Sequence, residues 1–464
     1  MTASDALNAL WQQAGLPGEA LHCVRLQGAD PVCPSSFAVG AAAQSSIAAA
    51  ALAACELGHA RGTPRQDVAV DMQHAAVECS GWFSLDSRVP DPWDAFSGLY
   101  ACADGHVRVH ANFAHHREGA LRLLGLDPKA VQRADAERAV RAWRALEFEA
   151  AAAERGLVVT ASRSFDEWDA TTQGRAVAAQ PLFTITRIGD AAPCALPPLR
   201  ANQWPLAGLR VLDLTRILAG PVGGRALAAY GADVMLVNAP HLPNIESIAD
   251  TSRGKLSAHV DLRTEAGRNA LWRLVDGAQV FVQGYRPGGL AALGFAPDTL
   301  AARRPGIVCV SLSAWGTQGP WAQRRGFDSL VQTAMGFNQA EGEAAGAGEG
   351  ADVQPRPLPM QILDQASGYL MAFGAAAALW RQQREGGSWH VQVSLAQTGH
   401  WLRGLGRVPD GLRAPKPDRT PFLQTSDSGF GRLVAVRHSA QLARTPAAWS
   451  RPSMPPGSHP PAWP

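Results

Sequence analysis

Between residues 209 and 312 the sequence alternates short β-branched or leucine-rich runs with helical stretches. The runs are 209–214 (LRVLDL), 233–237, 257–261, 280–283 and 307–312; helical patterns fill 220–230, 264–276 and 297–303. Few folds accept this spacing. It predicts a parallel sheet with helices on both faces, an α/β large domain. The turn after the first run, TRILAGPVGG, is not GxGxxG, and Asn238 rather than an acid closes the second run. Both features argue against dinucleotide binding through the usual fingerprint, and the glycines serve close packing as readily as a ligand.

The stretch LPMQILDQASGYLMAFGAAAALW (358–380) is helical in character and carries one acid, Asp364. Residues 337–353 read as flexible, and Pro355, Pro357 and Pro359 forbid helix until about residue 360. Asp364 then falls in or near the first turn, where the helix dipole and unpaired N–H groups favour a carboxylate. One reading is a capping residue; the other is an ionised carboxylate in an apolar wall, usable as a nucleophile. A strand follows at 390–395, and 446–464 has no periodicity, so it is expected to be extended, draped over the body or loose.

The first half differs. An Ala-rich helix is predicted at 39–58, then a strand-to-helix stretch at 67–79. Ala103-Asp104-Gly105 joins strands 99–102 and 106–110 in a hairpin. Helices are expected at 115–124 and, as one long amphipathic element, 134–155. Another is expected over 165–173 and 176–179, then a strand at 182–188 and a Pro-rich linker at 193–205. VAVDMQ (68–73) and VQVSLAQ (391–397) stand at the same place after the two Ala-rich helices, a weak internal repeat. In that alignment Asp364 lies opposite 40–42, where there is no carboxylate.

A chain of 464 residues predicts two or more domains. Apolar content of 46%, charge of 18% and a net charge of +2 with scattered Lys and Arg give no case for nucleic acid. Seven spaced cysteines without CxxC argue against a disulfide frame or a zinc site. With no basic n-region and h-region at the start, and no long strongly apolar run, the expectation is a soluble cytoplasmic protein without a membrane anchor.

Taken together, these residues resemble the family III CoA-transferases, the CaiB/BaiF and formyl-CoA transferase group. The resemblance runs in order through LAGLRVLDLTRILAGPVGGRALAAYGADVMLV (206–237), SRGKLSAHVDLRTEAGR (252–268), VQGYRPGGLAALGF (282–295), PGIVCVSLSAWGTQGPWAQRRGFDSLVQTAMG (305–336) and the Asp364 stretch. GLYACADGHVRVHA (98–111) is similar to the family's small-domain hairpin, and 427–449 to its chain end. The resemblance implies a Rossmann-like large domain with a smaller α+β domain. It implies a division into 1–200 (an incomplete copy carrying the hairpin), 201–400 (large domain) and a tail, 401–464. It also implies one chain forming what two interlocked family protomers form between them, as a monomer or a homodimer.

By motif position Asp364 matches the family's catalytic aspartate, which implies an acyl-CoA and a small carboxylic acid as partners and coenzyme A as substrate, with no permanent cofactor and no metal. Arg216 and Ala219 match the loop along CoA, Arg253 and Lys255 the basic pair facing adenine or phosphate, and Tyr285 and Arg286 the aromatic–Arg–Pro turn. Departures are Gln283-Gly284 before that turn, Asn238, and Ala291-Ala292 in place of a basic residue. A degenerate acyl-CoA binder is the second reading and an α-methylacyl-CoA racemase the third. The racemase His is replaced by Phe327, which cannot shuttle a proton, and the His115-His116 pair reads as surface. Asp328, Asp213 and Asp104 read as structural, and Trp315 and Trp321 as packing residues.

Overall fold

A computed structural model describes residues 1–346, 348 and 353–464 of the chain. Its centre is a seven-stranded sheet in the order Lys255–His259, Asp233–Asn238, Arg210–Leu214, Val280–Gln283, Val308–Ser313, Ser388–Ser394 and Phe183–Gly189. The first six are parallel and the last, from the first half of the chain, pairs antiparallel at the edge. Chain order across the parallel part is 3-2-1-4-5-6, the doubly wound Rossmann arrangement. Alternation explains the two faces. Val211, Val234 and Val308 point to the helices Ala219–Ala229 and Ile362–Glu385, while Leu212, Met235 and Cys309 point to Glu265–Asp276 and Pro297–Arg303.

The smaller module is α+β. Strands Gly98–Cys102, Gly105–Val109 and Val159–Ala161 form an antiparallel sheet backed by the helices Ala114–Leu123, Arg133–Val140 and Ala145–Glu154. Tyr100, Val107, Val140 and Phe148 fill its own core. The long helix expected at 134–155 is thus two. The hairpin turn divides them: Ala103 N–H donates to the Trp143 carbonyl, and Asp104 accepts from the Ala145 N–H and caps the second helix. The helix expected over 165–179 also divides, into Phe165–Ala170 and Thr172–Ala178, because extended Thr171 caps the second through the Gly174 N–H.

Within the stretch read as flexible, Phe337–Ala344 is a largely buried helix; residues 347 and 349–352 of it lie outside the described residues. The tail is draped across the large domain. Trp449 donates to the Arg225 carbonyl, Ser453 to the Ala249 carbonyl, and Trp463 to the Leu274 carbonyl.

The Ala-rich helix Val39–Ala60 is long and apolar enough by composition to cross a membrane, yet protein covers it on all sides and it packs along Ile362–Glu385. A second sheet beside it orders Val24–Gln27, Val68–Asp71 and Ala440–Leu442 with one parallel and one antiparallel pairing. That repeats the pattern of the last three strands of the large sheet. Buried Glu78 ties the parts together: it accepts from Tyr369 on the Asp364 helix at 2.6 Å, from His438 at 2.9 Å and from the Ser439 N–H at 2.7 Å, and Arg225 stands 3.7 Å away. Burial alone would raise its carboxyl, but His438, Arg225 and Tyr369 together hold it well below the usual range.

Candidate active site

In a doubly wound sheet a ligand crevice opens beyond the strand C-termini where the chain order reverses. Here the reversal lies between Arg210–Leu214 and Val280–Gln283, and a cavity of about 110 Å³ stands there. Arg216, Ala219, Tyr285, Arg286, Phe327 and Asp364 are among the residues that line it. A second cavity, about 330 Å³, shares Tyr285, Arg286 and Pro287 with the first. Its walls are apolar at Leu214, Val237, Val260 and Leu290, with His241 and Arg263 at the rim. Together they form a trough that ends at the Asp364 carboxyl.

Asp364 is the third residue of Ile362–Glu385 and is 9% exposed. Its side chain faces the cavity, while its backbone N–H donates to Asp328 at 2.8 Å. Asp328, the first residue of Asp328–Met335, is wholly buried and also accepts from Gln332. Burial and then the Asp328 charge push the Asp364 carboxyl well above the usual carboxylate range, and burial pushes Asp328 up to about 7. Ala219 opens the facing helix Ala219–Ala229, and its N-cap Leu218 offers no side-chain acceptor. Two helix N-termini therefore converge on the carboxyl, with the first N–H groups of the facing helix left for a ligand. The loop between strand and helix is strained. Ile217 has φ +77°, a conformation β-branched residues rarely adopt.

The smaller module closes the site from the other side. His110 stacks on Phe327, ring centres 4.0 Å apart at 8°, and Arg216 lies 5.8 Å from the centre of the Phe113 ring. His116, expected at the surface, is buried behind Phe113 and within 3.3 Å of Arg325; only His115 is exposed. Burial lowers both His110 and His116 to about 3, so they are neutral imidazoles at physiological pH.

Two sequence-predicted ligand residues lie elsewhere. Lys255 belongs to the sheet, since its strand begins two residues before the expected position, and its Nζ is enclosed between Asp213 at 2.9 Å and the Pro221 carbonyl at 2.8 Å. Arg253 is buried against Asp250, the Val436 carbonyl and the face of Trp449. Neither lines the trough, and each holds the large domain's interior instead. Asp213 orders the next loop by accepting from Thr215, as expected, and Trp315 and Trp321 pack edge to face with ring centres 4.9 Å apart.

The sequence profile of CoA-transferase family III matches residues 206–405. Over 276 residues the chain is 30% identical to the succinyl-CoA–D-citramalate CoA-transferase of Chloroflexus aurantiacus, a match covering 52% of this chain and 67% of that one. The chain belongs to family III of the CoA-transferases. It is also 33% identical over 316 residues to an acyl-CoA transferase of Gibberella moniliformis, covering 64% of this chain and 55% of the relative. A probable fatty acyl-CoA transferase of Mycobacterium tuberculosis is 34% identical over 237 residues, 47% of this chain and 58% of the relative. The chain thus spans little more than half the length of the last two.

Within this family III chain the trough contains residues that sequence reasoning missed as wall residues: Ile217, Leu218, Leu312, Arg324 and Leu395. Each stands at or just past the C-terminal end of a strand, except Arg324. Strand ends were legible, so the rule that ligands gather there would have found four of the five.

Proposed function

We propose that the chain transfers CoA between an acyl-CoA and a carboxylic acid, with Asp364 as the nucleophile. What carries this reading is a cavity-facing carboxyl between two helix N-termini, at the end of a trough whose far part is apolar and whose middle holds Arg216, Arg286 and Arg324. The apolar part suits adenine, and the guanidinium groups suit the pyrophosphate. The ionised Asp364 oxygen attacks the thioester carbonyl, forming an aspartyl–acyl anhydride and expelling CoA thiolate. The thiolate attacks the aspartyl carbonyl, giving an aspartyl-CoA thioester and releasing the first acid. An acceptor carboxylate displaces the thiolate to a second anhydride, and the thiolate attacks the acceptor's acyl carbon, restoring Asp364.

Acylation removes the Asp364 charge and relieves its repulsion by Asp328, which favours the first step over the resting pair. Developing oxyanions would meet the N–H groups that open Ala219–Ala229. Because the smaller module that closes the site belongs to the same chain, a single chain supplies both walls.

The test is incubation of the purified protein with acetyl-CoA followed by hydroxylamine and mass spectrometry, beside Asp364→Ala. A hydroxamate confined to Asp364 and absent from the variant supports the route. CoA binding by titration with no adduct refutes transfer and leaves a binding protein.

A further inference from the structure

Five arginine side chains are buried among the described residues: Arg61, Arg108, Arg163, Arg225 and Arg253. Four are accounted for. Arg61 donates to three backbone carbonyls, Arg163 pairs with Glu149, and Arg225 and Arg253 pair with Asp250. Arg108 is 7% exposed and makes no hydrogen bond or ion pair among the described residues. Its Nε is sealed without a partner, and the guanidinium carbon lies over the Trp93 ring, 4.6 Å from its centre. A buried cation left in this state is costly, so a protein that keeps one has a use for it.

Its position shows the use. Strand alternation sends Val107 and Val109 into the smaller module's core, and His106, Arg108 and His110 to the opposite face. That face meets Asp328–Met335 of the large domain. His110 stacks on Phe327, and the next residue, Asp328, accepts the Asp364 N–H. Arg108 therefore stands on the smaller module's side of Asp328, behind the residues that line the trough, whereas Arg216, Arg286 and Arg324 line it from the large domain. Asp328 is the charge Arg108 feels most, but the two form no ion pair within 4 Å, so the guanidinium N–H groups have no partner among the described residues.

We infer that Arg108, stacked on Trp93, is the anchor for a substrate carboxylate beside Asp364. Stacking one face on an aromatic ring fixes the guanidinium plane and leaves its N–H edge for a planar, bidentate partner, which a carboxylate is. The assignment builds on the transferase reading, which supplies two sources of that group: the acceptor's reacting carboxylate, or the far carboxylate of a dicarboxylic acyl chain.

The experiment is calorimetric titration of succinate and of propionate into the full chain, wild type, Arg108→Met and Arg108→Lys, with melting temperatures and the acetyl-CoA adduct assay on each. The Met variant is expected to bind succinate roughly 10- to 100-fold more weakly, with Lys in between. Its melting temperature should be unchanged or higher, because an unpartnered buried charge is removed. A parallel loss for propionate marks the reacting carboxylate; loss for succinate alone marks the far one. Wild-type binding of neither acid, equal binding by the Met variant, or a lowered melting temperature with unaltered acid binding would each overturn the assignment. Acid binding that depends on Arg108 without any adduct at Asp364 would sink the transferase reading and leave the carboxylate site standing.

Discussion

Gly368 fixes the distance between the two helices that make the site. It sits one turn after Asp364, and a Cβ built on it would lie 2.4 Å from the Ala219 carbonyl oxygen and 2.8 Å from the Val222 Cβ. Both are about 1 Å closer than van der Waals contact allows. Neither neighbour can rotate away, since one is backbone and the other the root of a β-branched side chain. In Gly368→Ala the helix Ala219–Ala229 must therefore move off Ile362–Glu385, with an overpacking cost of about 1–3 kcal/mol. Alanine's better helix propensity offsets about 1 kcal/mol of it. Urea denaturation should then show a net loss of about 0–2 kcal/mol, small for so tight a contact.

The larger effect is on chemistry. Shifting the Arg216–Ala219 loop by about 1 Å from the carboxyl is expected to slow Asp364 adduct formation from acetyl-CoA on the order of 100-fold. Gly374→Ala, on the same helix but with the Val391 side chain supplying its nearest atoms, should alter stability without altering the rate. A Gly368→Ala protein that is about 1 kcal/mol more stable and reacts at the wild-type rate would refute the close crossing and its role.

Glu78→Gln should cost about 3–5 kcal/mol at pH 7, because it leaves the buried Arg225 and His438 facing a neutral amide. The Glu78 carboxyl is held below its ordinary value of 4.5, so its contribution is present above that pH and lost on acidification, and the variant and wild-type denaturation curves should converge in acid. Lys255→Met strands the buried Asp213 and should cost a similar amount of stability, while CoA affinity of the folded protein, read by titration, stays unchanged; weaker CoA binding at intact stability would return Lys255 to the ligand. Asp328→Asn removes the charge that helps raise Asp364, so the acid limb of the adduct rate against pH should move to lower pH. The wild type should also lose stability as pH rises from the ordinary carboxyl value of 3.8 toward about 7, where Asp328 ionises in a raised state, and the variant should lose less, since only the raised Asp364 carboxyl then remains. An unshifted limb would mean that the two carboxyls do not interact.

The large domain was legible because its signal is local. Each strand is an apolar run bounded by turns, and the sheet order follows from parallel connectivity. Asp364 stood out as one acid in an apolar helix. Arg253 and Lys255 misled because a sequence shows residue type and not direction: a two-residue shift in where the strand begins turns Lys255 inward to Asp213. Ile217 left no trace, since nothing about isoleucine announces a positive φ. Arg108 was hidden for a different reason. In the hairpin it occupies an ordinary alternating position, and its meaning comes from Trp93, fifteen residues earlier, and from Asp328, 220 residues later. Pairings at that range are set by tertiary packing, which no local pattern records.

A two-copy origin, the expectation raised by the weak internal repeat and the family resemblance, would account for the helix Val39–Ala60. Val39–Ala60 packs along Ile362–Glu385, and its third residue, Ala41, occupies the helix position that Asp364 holds in its partner. The Asp30 carboxylate accepts from the N–H groups of Gly40 and Ala41, much as Asp328 accepts from that of Asp364. The clamp on the helix start is thus present twice, and the carboxyl of Asp364 once. The loops that build the trough follow the strands Arg210–Leu214, Asp233–Asn238 and Val280–Gln283, and the three-stranded sheet beside Val39–Ala60 has no counterpart of them among the described residues. With neither carboxyl nor trough, that half is free of the demands of chemistry. Alanine then fills the helix, which packs along the Asp364 helix. What the first half contributes is packing along the helix that carries Asp364 and, through the hairpin, the second wall of the candidate site.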